Sequence, residues 1–264
     1  MATNIHKTAI VDSAATIADD VQIGPYCIVG PDVSIGTGTV LGPHCVIDGH
    51  TTIGQNNTFY RFCSVGGMPQ DKKYAGEPTR LEIGDNNMFR EYVTLNTGTV
   101  QDVGVTRIGS DNWVMAYVHV AHDCQIGSHT ILANGVQMGG HVHIGDWAIV
   151  GGLAAVHQFG KVGAHAMVGG SSALHMDVPP FVMGSGNPCV PVGVNVEGLK
   201  RRGFAPEAIA ALREAYKTLY RRGLTLEQAR AQLLERQAAE PLAKDVLQTL
   251  LDFLAASARG IIRP

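Results

Sequence analysis

The sequence predicts a mainly β protein: a parallel β-helix of hexapeptide repeats followed by a small C-terminal α-helical domain. Aliphatic residues recur every six positions through about two thirds of the chain, and glycine often follows them directly, as in "IGPYCI VGPDVS IGTGTV LGPHCV". Near Pro191 this period gives way to helical spacing. In such a repeat each hexapeptide makes one short strand and one turn, with its aliphatic residue pointing into the core. Three strands close a triangular coil of about 18 residues.

The register opens at Val11 and Ile17 and runs through Ile23, Val29, Ile35, Leu41, Ile47, Ile53, Phe59 and Val65. It resumes at Ile83, Phe89 and Leu95, breaks again, and then holds from Ile108 to Leu174. The two breaks, 66–80 ("GGMPQDKKYAGEPTR") and 98–107 ("GTVQDVGVTR"), are polar and glycine-rich, which predicts loops leaving the scaffold. Cys27, Cys45, Cys63 and Cys124 each stand four residues after an aliphatic anchor, where the repeat takes a small inward side chain. They are expected to be buried and structural. Beyond Pro191, "APEAIAALREAYKTLYRRG" reads as a helix with Pro206 near its start and Gly223 at its end. "TLEQARAQLLERQ" opens a second helix with Thr225 as N-cap, and a third is expected around 242–257. The predicted division is a β-helix over 1–190 and a helical domain over 191–264.

The chain, at 264 residues, is long enough to bury a substantial core. No window approaches the roughly 18 uninterrupted apolar residues of a membrane span. Its first residues lack a basic segment followed by an apolar run, so no secretory signal is evident. Five cysteines without paired CxxC spacing fit a reduced, cytoplasmic protein. The net charge of −3 conceals an asymmetry: from Gly198 onward 12 Lys and Arg stand against 7 Asp and Glu, on an acidic body. A basic end suits an acidic partner, and equally suits ordinary solvated helix surfaces.

Eight of the eleven histidines lie between His119 and His175, although a β-helix core needs none. One coil after His122 comes Gly140, and one further comes Gln158, beside His157; one coil after Asp123 comes His141. The stretches "VHVAHDC", "MGGHVHIG" and "AAVHQFG" should therefore stack on successive rungs at one edge. Any one of these histidines alone reads as a solvated surface residue; the aligned set reads as a site. His122 suits a general base at neutral pH, and Asp123 could orient it if a turn brings the two together. Gly140 could offer a backbone N–H to a developing oxyanion. His119 fits a supporting hydrogen bond or a ligand contact. The column Ala116, Asn134, Gly152 and Gly170 is small throughout. It suits an extended apolar chain or close contact with a neighbouring subunit.

Taken together, "HVAHDCQIG", "ILANGVQMGGHVHIGDWAIVGGLAAVHQFGKVG", "QDKKYAGEPTRLEIG" and "GVNVEGLKRRGF" resemble the acyl-[acyl-carrier-protein]–UDP-N-acetylglucosamine O-acyltransferase family, which performs the first step of lipid A biosynthesis in Gram-negative bacteria. The resemblance covers essentially the whole chain. It implies a left-handed parallel β-helix and a homotrimer with sites between subunits. It implies UDP-N-acetylglucosamine and (R)-3-hydroxyacyl-[acyl carrier protein] as partners, with no cofactor, metal, nucleic acid or membrane span. By matched position, His122 is the general base, Asp123 its partner and Gly140 the oxyanion donor, with His141, His157 and Gln158 lining the site; His119 is grouped with the substrate-binding residues, its role open. Asp71, Lys73, Asn195, Glu197, Arg201 and Arg202 match residues that contact the sugar nucleotide. Gly170, with Gly152 below it, matches the position that limits acyl-chain length. Flanking segments such as "GGMPQDKKY" and "NGVQMGGHV" depart from the family pattern. Three other readings fit parts of the pattern: a zinc enzyme of the γ-carbonic anhydrase type using His119, His122 or His141, an acetyl-CoA-dependent hexapeptide acetyltransferase, and a structural β-solenoid displaying a binding surface.

Overall fold

A computed structural model describes residues 3–264. Short strands, most of two residues, pass in rotation through three sheets of 11, 9 and 8 strands, so the chain winds as a parallel β-helix. Down one sheet the pairing runs Gln22, Val40, Thr58, Met88, Trp113, Ile131. Along this run the step is 18 residues except at the two excursions, where it is 30 and 25. The anchors fill the interior: Ile23, Ile47, Phe59, Phe89, Leu132 and Val168 are all buried, and the Phe59 and Phe89 rings stack at 4.6 Å. Several buried polar side chains are matched inside the coil. Asn87, for example, donates to Asn57 Oδ1 and to the Gly109 carbonyl, both inside the coil.

The cysteines lie where the repeat places them. Cys27, Cys45, Cys63 and Cys124 are buried free thiols, each donating to a backbone carbonyl of the next coil. Burial pushes the Cys124 thiol up to about 12, so it does not supply a thiolate at neutral pH.

Both excursions are shorter than the breaks in the repeat. Strands Ser64–Gly67 and Arg80–Ile83 bracket the first, leaving Met68 to Thr79 outside the ladder. Strands Thr94–Asn96 and Val105–Ile108 bracket the second, leaving Thr97 to Gly104. Val105 and Thr106 are buried and pair with Arg80 and Leu81; two β-branched residues resume the ladder ahead of the Ile108 anchor.

Strand structure also runs past Pro191. Val190–Val194 folds back antiparallel on Val182–Ser185 at the end of its sheet, an edge position that tolerates proline. Four helices follow where three are expected. The additional one, α1 (Val196–Arg201), is six residues long and is capped by Asn195, whose side chain accepts from the Gly198 N–H. Pro206 is the first residue of α2 (Pro206–Tyr220). A capping box of Thr225 and Gln228 starts α3 (Leu226–Ala239). Pro241 opens a 3-10 turn that delays α4 to Lys244–Ala256. Leu247, Leu250, Leu251 and Leu254 bury one face of α4. The tail then returns to the coil: Lys161 Nζ donates to the Ala256 carbonyl, and Asp177 accepts from Ser257. No helix among the described residues is long and apolar enough to cross a membrane.

Candidate active site

A turn, rather than a strand, carries His122 and Asp123. Asp123 takes a left-handed φ of 59°, which swings its carboxylate back to its neighbour. Two adjacent residues on a strand would face opposite ways. His122 Nδ1 and Asp123 Oδ2 are 2.9 Å apart. The Asp123 side chain is 0% exposed and that of His122 12%. Thr99 holds the carboxylate with its N–H, 3.0 Å from both oxygens, and its hydroxyl, 2.6 Å from Oδ2. The Asp123 N–H donates to Thr106 Oγ1. With Thr99 donating to both of its oxygens, the carboxylate is placed to accept from His122 Nδ1–H, which leaves Nε2 as the free acceptor of the ring.

The next rung stacks as the coil spacing predicts. The His141 N–H donates to the His122 carbonyl, and the Phe159 N–H to the Gly140 carbonyl. Gly140 lies against the His122 ring: a Cβ there would fall 2.5 Å from Nε2. Among the described residues the Gly140 N–H donates to no other group. His141 turns its edge toward the His122 ring at 4.9 Å between centroids and stacks on Phe159 at 4.2 Å. Its Nδ1 lies 2.6 Å from Asp102 Oδ2. His157 is exposed, with Nδ1 3.0 Å from the Gln158 carbonyl, which also accepts from Arg259. His119, on the strand entering this corner, pairs with Thr94 Oγ1 at 2.8 Å. Burial, and then the nearby His122, hold its pKa below the ordinary histidine value.

The other sequence candidates lie elsewhere. Gly152 and Gly170 stack on Asn134 at a second corner: a Cβ on Gly170 would sit 3.2 Å from the Gly152 carbonyl, and one on Gly152 3.1 Å from that of Asn134. Asn195 and Arg202 pack on a third. Asn195 Nδ2 donates to the His165 carbonyl, Arg202 stands 3.4 Å from His165 Nδ1, and its guanidinium lies over the Trp147 ring. Glu197 pairs with Lys200 on the exposed side of α1. Arg201 is exposed. Asp71 and Lys73 bond only within their own loop among the described residues. Thus one chain brings His122, Asp123, Gly140, His141 and Gln158 together and sets the small-residue column and Arg202 on separate corners.

Thr99, Thr106, Asp102, Phe159 and Arg259 were not singled out from sequence. Phe159 was accessible to coil arithmetic, one turn after His141. Thr99 and Asp102 carried only a weak signal, as polar residues in the break one coil before His122. Arg259 gave none, because it reaches Gln158 only through the fold of the tail.

His122, Asp123 and His141 also offer three ligand-type atoms within 4.8 Å of one another. The Asp123 oxygens are already committed to Thr99 and His122, so the set is built as a hydrogen-bonded pair with a second histidine beside it.

Comparison with known proteins shows the family. The bacterial transferase hexapeptide family (six repeats) matches residues 14–49 and 106–140, and the UDP-N-acetylglucosamine O-acyltransferase domain 2 family matches 177–262. The acyl-[acyl-carrier-protein]–UDP-N-acetylglucosamine O-acyltransferase of Thiobacillus denitrificans is 60% identical over 98% of this chain and 99% of its own. That of Burkholderia lata is 58% identical over 99% of this chain and 100% of its own. The solved structure of LpxA from Acinetobacter baumannii superposes with a TM-score of 0.94 at 52% identity, covering 98% of this chain and 99% of that one. That of UDP-N-acetylglucosamine acyltransferase from Francisella novicida gives 0.95 at 42% identity, covering 98% and 94%. With these identities running over nearly the full length of both chains, the chain belongs to the acyl-[acyl-carrier-protein]–UDP-N-acetylglucosamine O-acyltransferase family.

Proposed function

We propose that this chain transfers an (R)-3-hydroxyacyl group from acyl carrier protein to the 3-hydroxyl of UDP-N-acetylglucosamine, the first step of lipid A biosynthesis. The observation that carries the chemistry is the His122–Asp123 pair with an uncommitted Gly140 N–H against the same ring. His122 Nε2 takes the hydroxyl proton as the oxygen attacks the thioester carbonyl. The Gly140 N–H receives the oxyanion of the tetrahedral intermediate. Collapse breaks the C–S bond, and the imidazolium returns its proton to the leaving sulfur. Asp123 keeps Nδ1 protonated and steadies the imidazolium between the two transfers. No metal and no covalent enzyme intermediate is required.

The separation of the candidate residues over three corners supports a homotrimer. A coil face spans six residues, at most roughly 20 Å, so the small-residue column and the Arg202 corner of one chain lie away from its own His122. A neighbour about a threefold axis would bring its column or its Arg202 to that histidine. In this reading Gly152 and Gly170 line the acyl chain. Asp71, Lys73, His119, His157, Asn195, Glu197, Arg201 and Arg202 serve the sugar nucleotide and its surroundings, where a guanidinium suits phosphate. The basic C-terminal segment faces the carrier protein, and the five free cysteines suit a cytoplasmic setting.

The test is an assay with UDP-N-acetylglucosamine and hydroxyacyl carrier proteins of several chain lengths, the product read by mass spectrometry and the metal content of the enzyme measured in parallel. A 3-O-acylated sugar nucleotide formed at full rate after chelation is expected. Stoichiometric zinc with loss of activity to chelator would replace this reading with the metal one.

A further inference from the structure

We infer that Asp102 is a positioning residue for His141, and that the excursion from Thr97 to Gly104 assembles both histidine–carboxylate pairs of the site. This rests on reading the His122 corner as the place of acyl transfer. One turn of the excursion carries both clamps: the Asp102 N–H donates to the Thr99 carbonyl, so the two residues lie three apart on a single bend. Thr99 holds the Asp123 carboxylate from one end of that bend. Asp102 holds His141 from the other, with Oδ2 2.6 Å from Nδ1.

Asp102 decides something that the remaining contacts of His141 leave open. Phe159, stacked at 4.2 Å and nearly coplanar at 5°, fixes the plane of the ring. It does not select which nitrogen carries the proton. The other nearby carboxylate, Asp123, is 3.9 Å from Nδ1, beyond hydrogen-bond reach. A carboxylate only accepts, so Asp102 requires a proton on Nδ1. With Nδ1–H so engaged, Nε2 is the nitrogen left to accept from a substrate hydroxyl beside His122. In the transfer the C–O bond forms, the C–S bond breaks and the hydroxyl proton reaches sulfur through His122; His141 orients the substrate and takes no part in the proton transfer.

The Asp102 side chain is 39% exposed, and a polar contact this open to water contributes little to stability. Its removal should therefore disturb the tautomer without unfolding the coil. The experiment uses the full chain labelled with 15N-histidine, the His141 signals assigned by their absence in His141→Asn. Long-range 1H–15N spectra of wild type, Asp102→Ala and Asp102→Asn report the tautomer, and kcat and KM are measured on the same preparations. In wild type Nδ1 should be protonated. Asp102→Ala should lose that preference and lower kcat/KM about tenfold, the cost of one hydrogen bond, with Tm unchanged. Asp102→Asn keeps an acceptor oxygen and should restore both. An unchanged tautomer in Asp102→Ala, or a changed tautomer with unaltered kcat/KM, would overturn the inference. The spectra need no substrate. An inactive wild type would count against the acyl-transfer reading alone, while the tautomer comparison still decides whether Asp102 positions His141.

Discussion

The corner of the coil bearing Asp123, His141 and Phe159 and the corner bearing Tyr26, His44, Phe62, Tyr92 and Tyr117 share one backbone conformation. Every one of these residues has a φ between 59° and 65°. That left-handed setting costs an L-residue roughly 1–2 kcal/mol, so both corners must recover it. The aromatic corner does so by stacking: successive ring centroids from Tyr26 to Tyr117 are 5.0 Å apart, and Tyr117 is 59% exposed. The other corner stacks His141 on a half-exposed Phe159 and adds a cover over Asp123. The Thr97 to Gly104 excursion leaves the coil just before it and folds back, burying a carboxylate where the aromatic corner shows a ring to solvent. The chemistry thus comes from the cover and from the residues it allows to be polar, while the turn itself is common to both corners.

The sharpest way to break this contrast is Gly140→Ala. Its methyl would collide with the His122 ring and displace Nε2, so kcat/KM should fall by about 10²–10³ with circular dichroism unchanged. Next in size is Thr99→Val, which removes the hydroxyl clamp but leaves the backbone one. It should lower kcat/KM about tenfold and stability by about 1.5–3 kcal/mol, read from chemical denaturation. Tyr92→Ala, on the aromatic corner, should lose about 0.5–1.5 kcal/mol of stability for each ring contact removed and leave kcat/KM unaltered.

At the third corner the expected effect is on the pH dependence of stability. Burial, and then the Arg202 charge, lower His165 to about 4 from 6.5. Between those two values the unfolded chain binds a proton that the folded chain refuses, so stability falls as pH drops from 6.5 toward 4. His165→Phe should flatten that slope in urea midpoints measured across the window.

Much of the coil was legible because a strand buries every second side chain and a hexapeptide resets the phase at each turn. That regularity also placed Gly140, Gln158 and His141 relative to His122 and Asp123. It could not give the contact between His122 and Asp123, which depends on Asp123 taking a left-handed φ that many kinds of residue adopt at these corners. Nor could it place Thr99 and Asp102, because a break in the period removes the register that locates residues. The strand at Val190–Val194 was obscured by Pro191, which is admissible only because the strand lies at a sheet edge. The short helix α1 was hidden by its length: six residues carry too little periodicity to stand out.

The most direct test is the rate of acyl transfer to UDP-N-acetylglucosamine by His122→Ala, measured beside Tyr26→Ala as a matched change on the aromatic corner, several rungs below the small-residue column. Loss of a general base should lower kcat by about 10²–10⁴ in the first and leave the second near wild type. Near-normal turnover by His122→Ala would contradict the assignment of the base and, with it, the claim that the covered corner carries the chemistry.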